Sequence, residues 1–232
     1  MGHNKWIITH SWASGDVTGD AFIDGAGGLI GQNWYGLIKS CWASGDVVGY
    51  DDRTGGLIGE GSGWIYRCYA TGDVTGGNET GGLMGICING LIKDCYAQGD
   101  VSGADKVGGL IGYNFGMDVN DCYSTGHVSG TTNRGGLVGD TSTGGTTNRC
   151  FWDVESSGTT VSDGGTGKTT FEMMERKTFE GAGWDLETTW EVEATVRMYP
   201  YLHMYLPADL NHDGIVNAYD LGILCNLWLG ER

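Results

Sequence analysis

The sequence predicts a mainly β protein, built as a right-handed parallel β-solenoid of about five to six coils with 27 residues in each coil. One observation is a long repeat, because CYATGDVTGGNETGGLMG at 68–85 returns as CYAQGDVSGADKVGGLIG at 95–112. The other is composition, since 44 of 232 residues are glycine and only 2 are proline, which indicates many tight turns. A small mixed α/β cap and a C-terminal loop followed by a helix complete the predicted architecture.

Two sequence patterns set the period of the repeat. The first glycine of GGLIG and its variants stands at Gly27, Gly55, Gly81, Gly108 and Gly135. The GDV pattern begins at Gly15, Gly45, Gly72 and Gly99, and GHV begins at Gly126. A single coil cannot bury its apolar face, so the coils are expected to stack with a rise of about 4.8 Å. Parallel crossovers favour a right-handed coil.

These patterns divide the chain into three predicted regions. The solenoid occupies residues 1–156, where the repeat is visible. Residues 157–205 break the period and are expected to cap the solenoid. Residues 206–232 form a separate C-terminal module.

Five cysteines share one column of the repeat, and Ser11 takes the same position in the first copy. Alanine two residues later and valine six residues later suit a narrow interior, so we interpret the cysteines as inward, reduced packing residues. The alternative is a metal–thiolate ladder, which would favour compact clusters with histidine or C-x-x-C spacing. The column consists of Cys41, Cys68, Cys95, Cys122 and Cys150.

An aromatic residue follows each position of the cysteine column. Strand alternation turns this residue outward if the cysteine points inward. The aromatic column is therefore a candidate ligand or assembly surface, whose rings could stack on sugars or on another protein. The alternative, which we favour, is a self-stacking ladder that stabilises the coils. Its members are Trp12, Trp42, Tyr69, Tyr96, Tyr123 and Phe151.

A column of like charges follows from the GDV pattern. It contains Asp16, Asp46, Asp73 and Asp100, and His127 replaces aspartate in the next copy. Glycine–aspartate pairs are typical of turns, so we interpret these residues as solvated turn aspartates. Calcium bridging between coils and paired catalytic carboxylates are the alternatives.

The cap sequence contains GGTGKTT, which partly matches a phosphate-binding loop. That loop requires glycine five places before the glycine of the GK pair, and Ser162 stands there. Thr169 and Glu172 instead form a T-x-x-E capping box, which predicts the start of a helix.

Charge limits the classes of partner. Thirteen basic and 29 acidic residues give a formal net charge of −16, which repels nucleic acid and anionic membrane surfaces. No apolar run reaches the roughly 18 to 20 residues that span a bilayer. The start, MGHNKWIITH, lacks the apolar region of a signal peptide, so export is expected to need a leader outside this sequence.

GGLIG followed by CYAxGDVxG at this period resembles the GLUG repeat, a motif of secreted and surface-anchored bacterial proteins. The resemblance covers residues 5–155. It implies a structural or adhesive module with a β-helix, without assigned catalytic residues, at an extracellular or cell-surface location. The continuation that begins CFWDVESSGTT also resembles the segment that closes GLUG arrays.

The stretch DLNHDGIVNAYD at 209–220 has the spacing of a calcium loop. Oxygen-bearing side chains stand at positions 1, 3, 5, 9 and 12, position 7 offers a backbone carbonyl, and Gly214 occupies the sharp turn at position 6. Three carboxylates and two amides suit Ca²⁺, whereas Mg²⁺ prefers fewer protein ligands and more water. The predicted ligands are Asp209, Asn211, Asp213, Ile215, Asn217 and Asp220.

An amphipathic helix is predicted behind this loop. Leu221, Leu224, Cys225 and Trp228 follow the i, i+3, i+4, i+7 spacing of one helical face. Loop and helix together resemble one EF-hand-like calcium-binding repeat of a type I dockerin, including aspartate at position 12. Dockerins use two such repeats, and the sequence contains one. The resemblance therefore implies calcium binding, and the single repeat departs from the pair that a cohesin partner implies.

These features favour a non-enzymatic extracellular module that acts in adhesion or assembly. The segment KWIITHSWASGDV reads as solenoid strand, and its edge predicts head-to-tail self-association into filaments. Another surface protein is the alternative partner. The competing hypothesis is a polysaccharide-binding or polysaccharide-degrading component, because dockerins commonly tether such enzymes and β-helices include lyases and hydrolases.

Overall fold

The chain winds through four parallel β-sheets, and each coil contributes one segment to each sheet. This architecture comes from a computed structural model that describes residues 3–4, 6–20, 25–142, 144–193 and 197–203. We name the sheets the long, aromatic, valine and glycine sheets. The predicted fold class, a parallel β-solenoid with few helices, is confirmed, and the solenoid has about five turns. The hand of the coil stays a prediction.

The long sheet has the longest strands, and in their last residues side chains alternate between the outer surface and the core, as in Trp64 and Ile65. A bulge between Gly61 and Gly63 shifts the pairing register in the middle of the sheet. Its strands are His3–Asn4, Ile7–Thr9, Ile30–Lys39, Ile58–Tyr66, Met84–Lys93, Ile111–Asn114, Met117–Asn120, Val138–Thr141 and Thr146–Asn148.

The other three sheets are built from short strands, most of them two residues long. The aromatic sheet contains Trp12–Ala13, Trp42–Ala43, Tyr69–Ala70, Tyr96–Ala97, Tyr123–Ser124, Phe151–Asp153 and Thr166–Lys168. The valine sheet contains Val17–Thr18, Val47–Val48, Val74–Thr75, Val101–Ser102 and Val128–Ser129. The glycine sheet contains Ala26–Gly27, Thr54–Gly55, Thr80–Gly81, Val107–Gly108 and Arg134–Gly135.

Strand pairing follows the sequence repeat. Val74 pairs with Val47 on one side and with Val101 on the other, each one period away. Equivalent residues therefore become axial neighbours, as the columns in the sequence predict.

The interior contains the column of thiols. Cys41, Cys68, Cys95, Cys122 and Cys150 are free and buried, so their predicted inward position is confirmed. They pack with four leucines from the GGLIG segments and with alanines of the aromatic sheet. Burial raises the pKa of the Cys68 and Cys122 thiols well above the ordinary value, which favours the neutral thiol.

One residue with left-handed backbone forms the corner between the long and aromatic sheets in every coil. None of these residues is glycine, and their φ angles lie between 48° and 56°. This conformation costs non-glycine residues on the order of 1 kcal/mol, and the neighbouring coils hold it in place. The corner residues are His10, Ser40, Arg67, Asp94, Asp121 and Arg149.

Residues 150–168 cover the C-terminal end of the core. Trp152 pairs with Ser124 in the column that holds Ala43, Ala70 and Ala97 in earlier coils, and its ring fills the space above Gly136. The Gly136 N–H donates to the Val161 carbonyl at 2.9 Å. The aromatic sheet therefore continues past the predicted boundary at residue 156, and that boundary stays a prediction.

Two short helices, Thr170–Met173 and Arg176–Ala182, follow this cover. The capping box is confirmed, since the Glu172 N–H donates to the Thr169 hydroxyl at 3.2 Å and the Thr169 N–H donates to the Glu172 carboxylate at 2.9 Å. A two-stranded antiparallel sheet, Trp190–Glu191 with Tyr201–Leu202, completes the described cap. The predicted calcium loop and helix lie outside the described residues.

Candidate interaction surface

The aromatic column forms one continuous ladder on the outside of the solenoid. From Trp12 to Tyr123, successive rings lie 4.8 to 5.8 Å apart with interplanar angles of 5° to 8°. Each ring face inside this series therefore contacts another ring. Sugar stacking requires a ring face, so among the described residues the ladder offers ring edges along its side and a free ring face at its Trp12 end.

The cap covers the C-terminal half of the ladder. Tyr96, Tyr123 and Phe151 are buried beneath an apolar cluster. Trp190 lies 6.0 Å from Tyr96 and 5.8 Å from Tyr123, centroid to centroid, and is itself fully buried. The cap residues in this cluster are Met173, Phe179, Trp184, Leu186, Trp190, Val192 and Leu202.

Hydrogen bonds fix the cap to the corners of the solenoid. The Trp190 indole N–H donates to Asp94 Oδ1 at 3.2 Å, and the Arg67 guanidinium donates to Thr189 Oγ1 at 2.8 Å. The Tyr123 hydroxyl donates to the Pro200 carbonyl at 2.5 Å. Each contact joins residues far apart in sequence, so the cap has one defined position on the ladder.

In the N-terminal half of the ladder, the described residues leave Trp12 and Trp42 uncovered, and Tyr69 packs against the edge of the cap cluster. Trp12 is 61% exposed, and Trp42 and Tyr69 are half-buried. Of the six aromatic residues predicted as a ligand or assembly surface, these three are accessible. The other three are buried beneath the cap.

The buried Asp94 carboxyl lies at the edge of this interface. Burial raises its pKa above the ordinary value of 3.8, the neighbouring Asp121 raises it further, and Lys93, Arg67 and the Trp190 hydrogen bond oppose the shift. The ionised form is therefore disfavoured in the folded protein relative to the unfolded chain.

We expect Asp94→Asn to stabilise the protein at neutral pH. Asparagine keeps an oxygen acceptor for the Trp190 indole and tolerates the φ of 54° found here. A raised folded-state pKa lowers stability above that pKa, and this penalty disappears as the carboxyl gains a proton on acidification. Urea unfolding at about pH 7 and about pH 3 should show a stability gain that shrinks in acid. A gain that is equal at both pH values, or no gain, contradicts the assignment.

The aspartate column is a chain of backbone contacts. The N–H of Asp46 donates to Asp16 Oδ1 at 3.0 Å, and Asp73 and Asp100 continue the pattern at 2.9 Å. His127 donates to Asp100 in the same way at 2.8 Å. All these side chains are exposed, so the interpretation as solvated turn aspartates is confirmed. Within the described ranges, no group of three or more metal-binding side chains is placed to hold an ion.

A second apolar stripe runs along the outer face of the long sheet. Ile7 pairs with Leu37, and Leu37 and Leu91 flank Trp64 on neighbouring strands. Ile7 and Trp64 are exposed, and the two leucines are half-buried. This stripe could have been predicted from strand alternation alone. Ile8, Ile38 and Ile65 point inward, so the residues before them in each strand point outward.

Comparisons with known proteins support the repeat. Residues 103–129 match the family model described as the GLUG motif. A protein of Evansella cellulosilytica, described as a Gly-rich membrane protein, is 33% identical over 76 residues, which are 31% of this chain and 9% of the relative. No solved structure matches the chain. In the part of the chain that the structure describes, neither helix is long and apolar enough to cross a membrane. The chain thus carries a GLUG repeat in a parallel β-solenoid, the arrangement of a structural repeat protein.

Proposed function

We propose that this chain is a non-enzymatic module that acts in adhesion or assembly at the cell surface or outside the cell. The observation that carries this proposal is the use of whole columns for contacts between coils. Ladder rings stack on one another, and aspartate carboxylates accept backbone N–H groups from the next coil. The aromatic and aspartate side chains that were candidates for ligand binding thus form contacts between neighbouring coils. The description of the relative as a membrane protein supports the proposed location.

A reducing-sugar assay tests the non-enzymatic part of this proposal. The purified chain is incubated with plant and algal polysaccharides, with calcium present. We expect no release of reducing ends above the level of a heat-denatured sample. Clear turnover would support the competing function as a polysaccharide-degrading component.

We also propose that the C-terminal loop binds Ca²⁺ through Asp209, Asn211, Asp213, Ile215, Asn217 and Asp220. These residues lie outside the described structure, and the support is the agreement of ligand type and spacing with a calcium loop. A resemblance to one dockerin repeat adds to this support, and a cohesin partner is not part of the proposal.

Calcium is expected to stabilise the C-terminal module. A ligand that binds only the folded loop adds about 2.7 kcal/mol at a hundredfold excess over its dissociation constant. Asp213→Ala removes one carboxylate ligand and should abolish most of this gain. Scanning calorimetry with calcium and with a chelator measures the shift. The same calcium-dependent shift in the variant and the parent would place the site elsewhere.

Self-association through the first coil is the proposed mode of assembly. Leu37 donates its N–H to the Trp6 carbonyl at 3.1 Å. Because donors alternate along a parallel strand, the neighbouring Ile7 N–H points away from the second coil. Ile7 is also 69% exposed. A strand from another copy could pair with this edge and cover the Ile7 side chain.

Ile7→Pro is expected to reduce this association, because proline removes the outward donor while the Trp6 carbonyl keeps its contact with Leu37. Sedimentation velocity over a range of concentrations, with calcium present, compares the variant with the parent. Growth without limit indicates head-to-tail contacts, whereas a closed dimer indicates pairing of two first coils. A parent that stays monomeric at high concentration rules out the proposal.

A further inference from the structure

His203, the last described residue of the cap, lies at the border between the covered and uncovered parts of the aromatic ladder. The His203 N–H donates to the Thr189 carbonyl at 2.9 Å, and Thr189 Oγ1 accepts from Arg67 at 2.8 Å. Arg67 is the corner residue of the coil that carries Tyr69. The chain therefore leaves the described cap beside the last partly covered ring.

The uncovered rings lie within easy reach of this point. Trp12 stands two coils from Tyr69, which is roughly 10 Å at the spacing of neighbouring strands. About three extended residues span that distance. Residues 204–232 continue the chain beyond His203.

The continuing sequence has the chemistry that covers the other half of the ladder. Leu221, Leu224, Cys225 and Trp228 recur at the spacing of one helical face. The described cap covers Tyr96 and Tyr123 with the same residue types, leucine and tryptophan. Residues 204–232 also carry four acidic residues and one basic residue, and the solenoid presents the exposed Lys39 at the strand end before Trp42.

We propose that residues 221–228 dock on the uncovered half of the ladder and cover Trp12 and Trp42. This apolar contact completes the cover that the described cap begins. It involves the side of the solenoid, whereas self-association involves the backbone edge of the first coil, so both can operate. The inference rests on the solenoid and the exit point of the chain, and it does not require calcium in the loop.

Hydroxyl-radical footprinting of the full chain tests this contact. Oxidation of Trp12 and Trp42 is measured by mass spectrometry in the parent and in Leu224→Asp, which places a charge on the apolar face. We expect the variant to oxidise several-fold faster at both tryptophans. Asn226→Asp is the matched control, because it adds the same charge at a position on the opposite helical face. It should leave the oxidation rates unchanged.

A reciprocal variant covers the case in which Leu224→Asp disturbs the tail itself. Trp12→Lys changes the solenoid side of the contact, leaves the tail sequence intact, and should increase the oxidation of Trp228. Equal oxidation of Trp12 and Trp42 in the parent and Leu224→Asp, or unchanged Trp228 in Trp12→Lys, overturns the proposal. Protection of Trp12 that disappears on dilution also overturns it, because the cover would then come from a second copy. Calcium binding by the loop is measured separately by titration. A failure of the docking proposal therefore does not affect the test of the calcium proposal, and the reverse also holds.

Discussion

Trp190→Ala is expected to lower the free energy of unfolding by about 3 to 5 kcal/mol, the range for a fully buried large aromatic side chain. The change removes ring contacts with Tyr96 and Tyr123 and leaves a cavity between the cap and the ladder. It also removes the indole donor to Asp94, whose carboxyl is buried in the parent protein. Urea denaturation followed by far-UV circular dichroism measures the loss.

Trp12→Ala is the matched control for this prediction. Trp12 belongs to the ladder and stacks on Trp42 at 5.4 Å, but no described cap residue covers it. Trp12 stacks on a single described ring, whereas Trp190 contacts Tyr96, Tyr123 and Trp184, so truncation of Trp12 should cost less than the change at Trp190. A larger loss at Trp12 than at Trp190 would contradict the account of Trp190 as the centre of the contact between cap and ladder.

Gly72→Ala is expected to destabilise the protein by about 3 kcal/mol or more, because the coils approach too closely for a side chain there. A Cβ atom at Gly72 would lie 2.1 Å from the carbonyl oxygen of Gly45 in the preceding coil. The Gly45 backbone cannot move away without disrupting the contacts between neighbouring coils. Thermal and urea unfolding both report the loss.

Gly15→Ala tests the same position of the repeat in the first described coil. Gly15 begins the first GDV pattern, and a Cβ atom added there meets no atom of the described residues within 4 Å. We expect this variant to be neutral or stabilised by up to about 1 kcal/mol, since alanine reduces the freedom of the unfolded chain. Losses of similar size at Gly15 and Gly72 would mean that glycine is required at this position for a local turn and not for the close approach of neighbouring coils.

The columns of the solenoid could be predicted from the sequence because stacking turns a sequence period into spatial contact. The inward cysteines and the turn aspartates follow from residue type and spacing alone. The stacking of Trp42 on Tyr69 follows in the same way, since both occupy one position of the repeat.

The position of the cap could not be predicted in this way. It depends on contacts between residues far apart in the chain, such as Arg67 with Thr189 and Asp94 with Trp190. The cap residues do not repeat, so no period indicates which face of the solenoid they contact. The sequence predicts six outward aromatic residues, but only the folded cap distinguishes the buried Tyr123 from the exposed Trp12.

The left-handed corners were also invisible in the sequence. Serine, arginine, aspartate and histidine share this position, and none of the six copies uses glycine. Local propensity gives no common signal for such a set. The conformation follows from the closure of each coil on its neighbours.

The in-register parallel stack is the central claim, and through-space NMR contacts between valine methyl groups test it most directly. Val47, Val74, Val101 and Val128 pair in sequence along the valine sheet. We predict methyl–methyl cross-peaks between Val74 and both Val47 and Val101, and between Val101 and Val128. The backbone amides of Asp73 and Asp100 should likewise show contacts with the aspartate that stands 27 residues earlier in the chain. Cross-peaks from an antiparallel register, in which contacts of successive residues run in opposite directions along the chain, would contradict the solenoid.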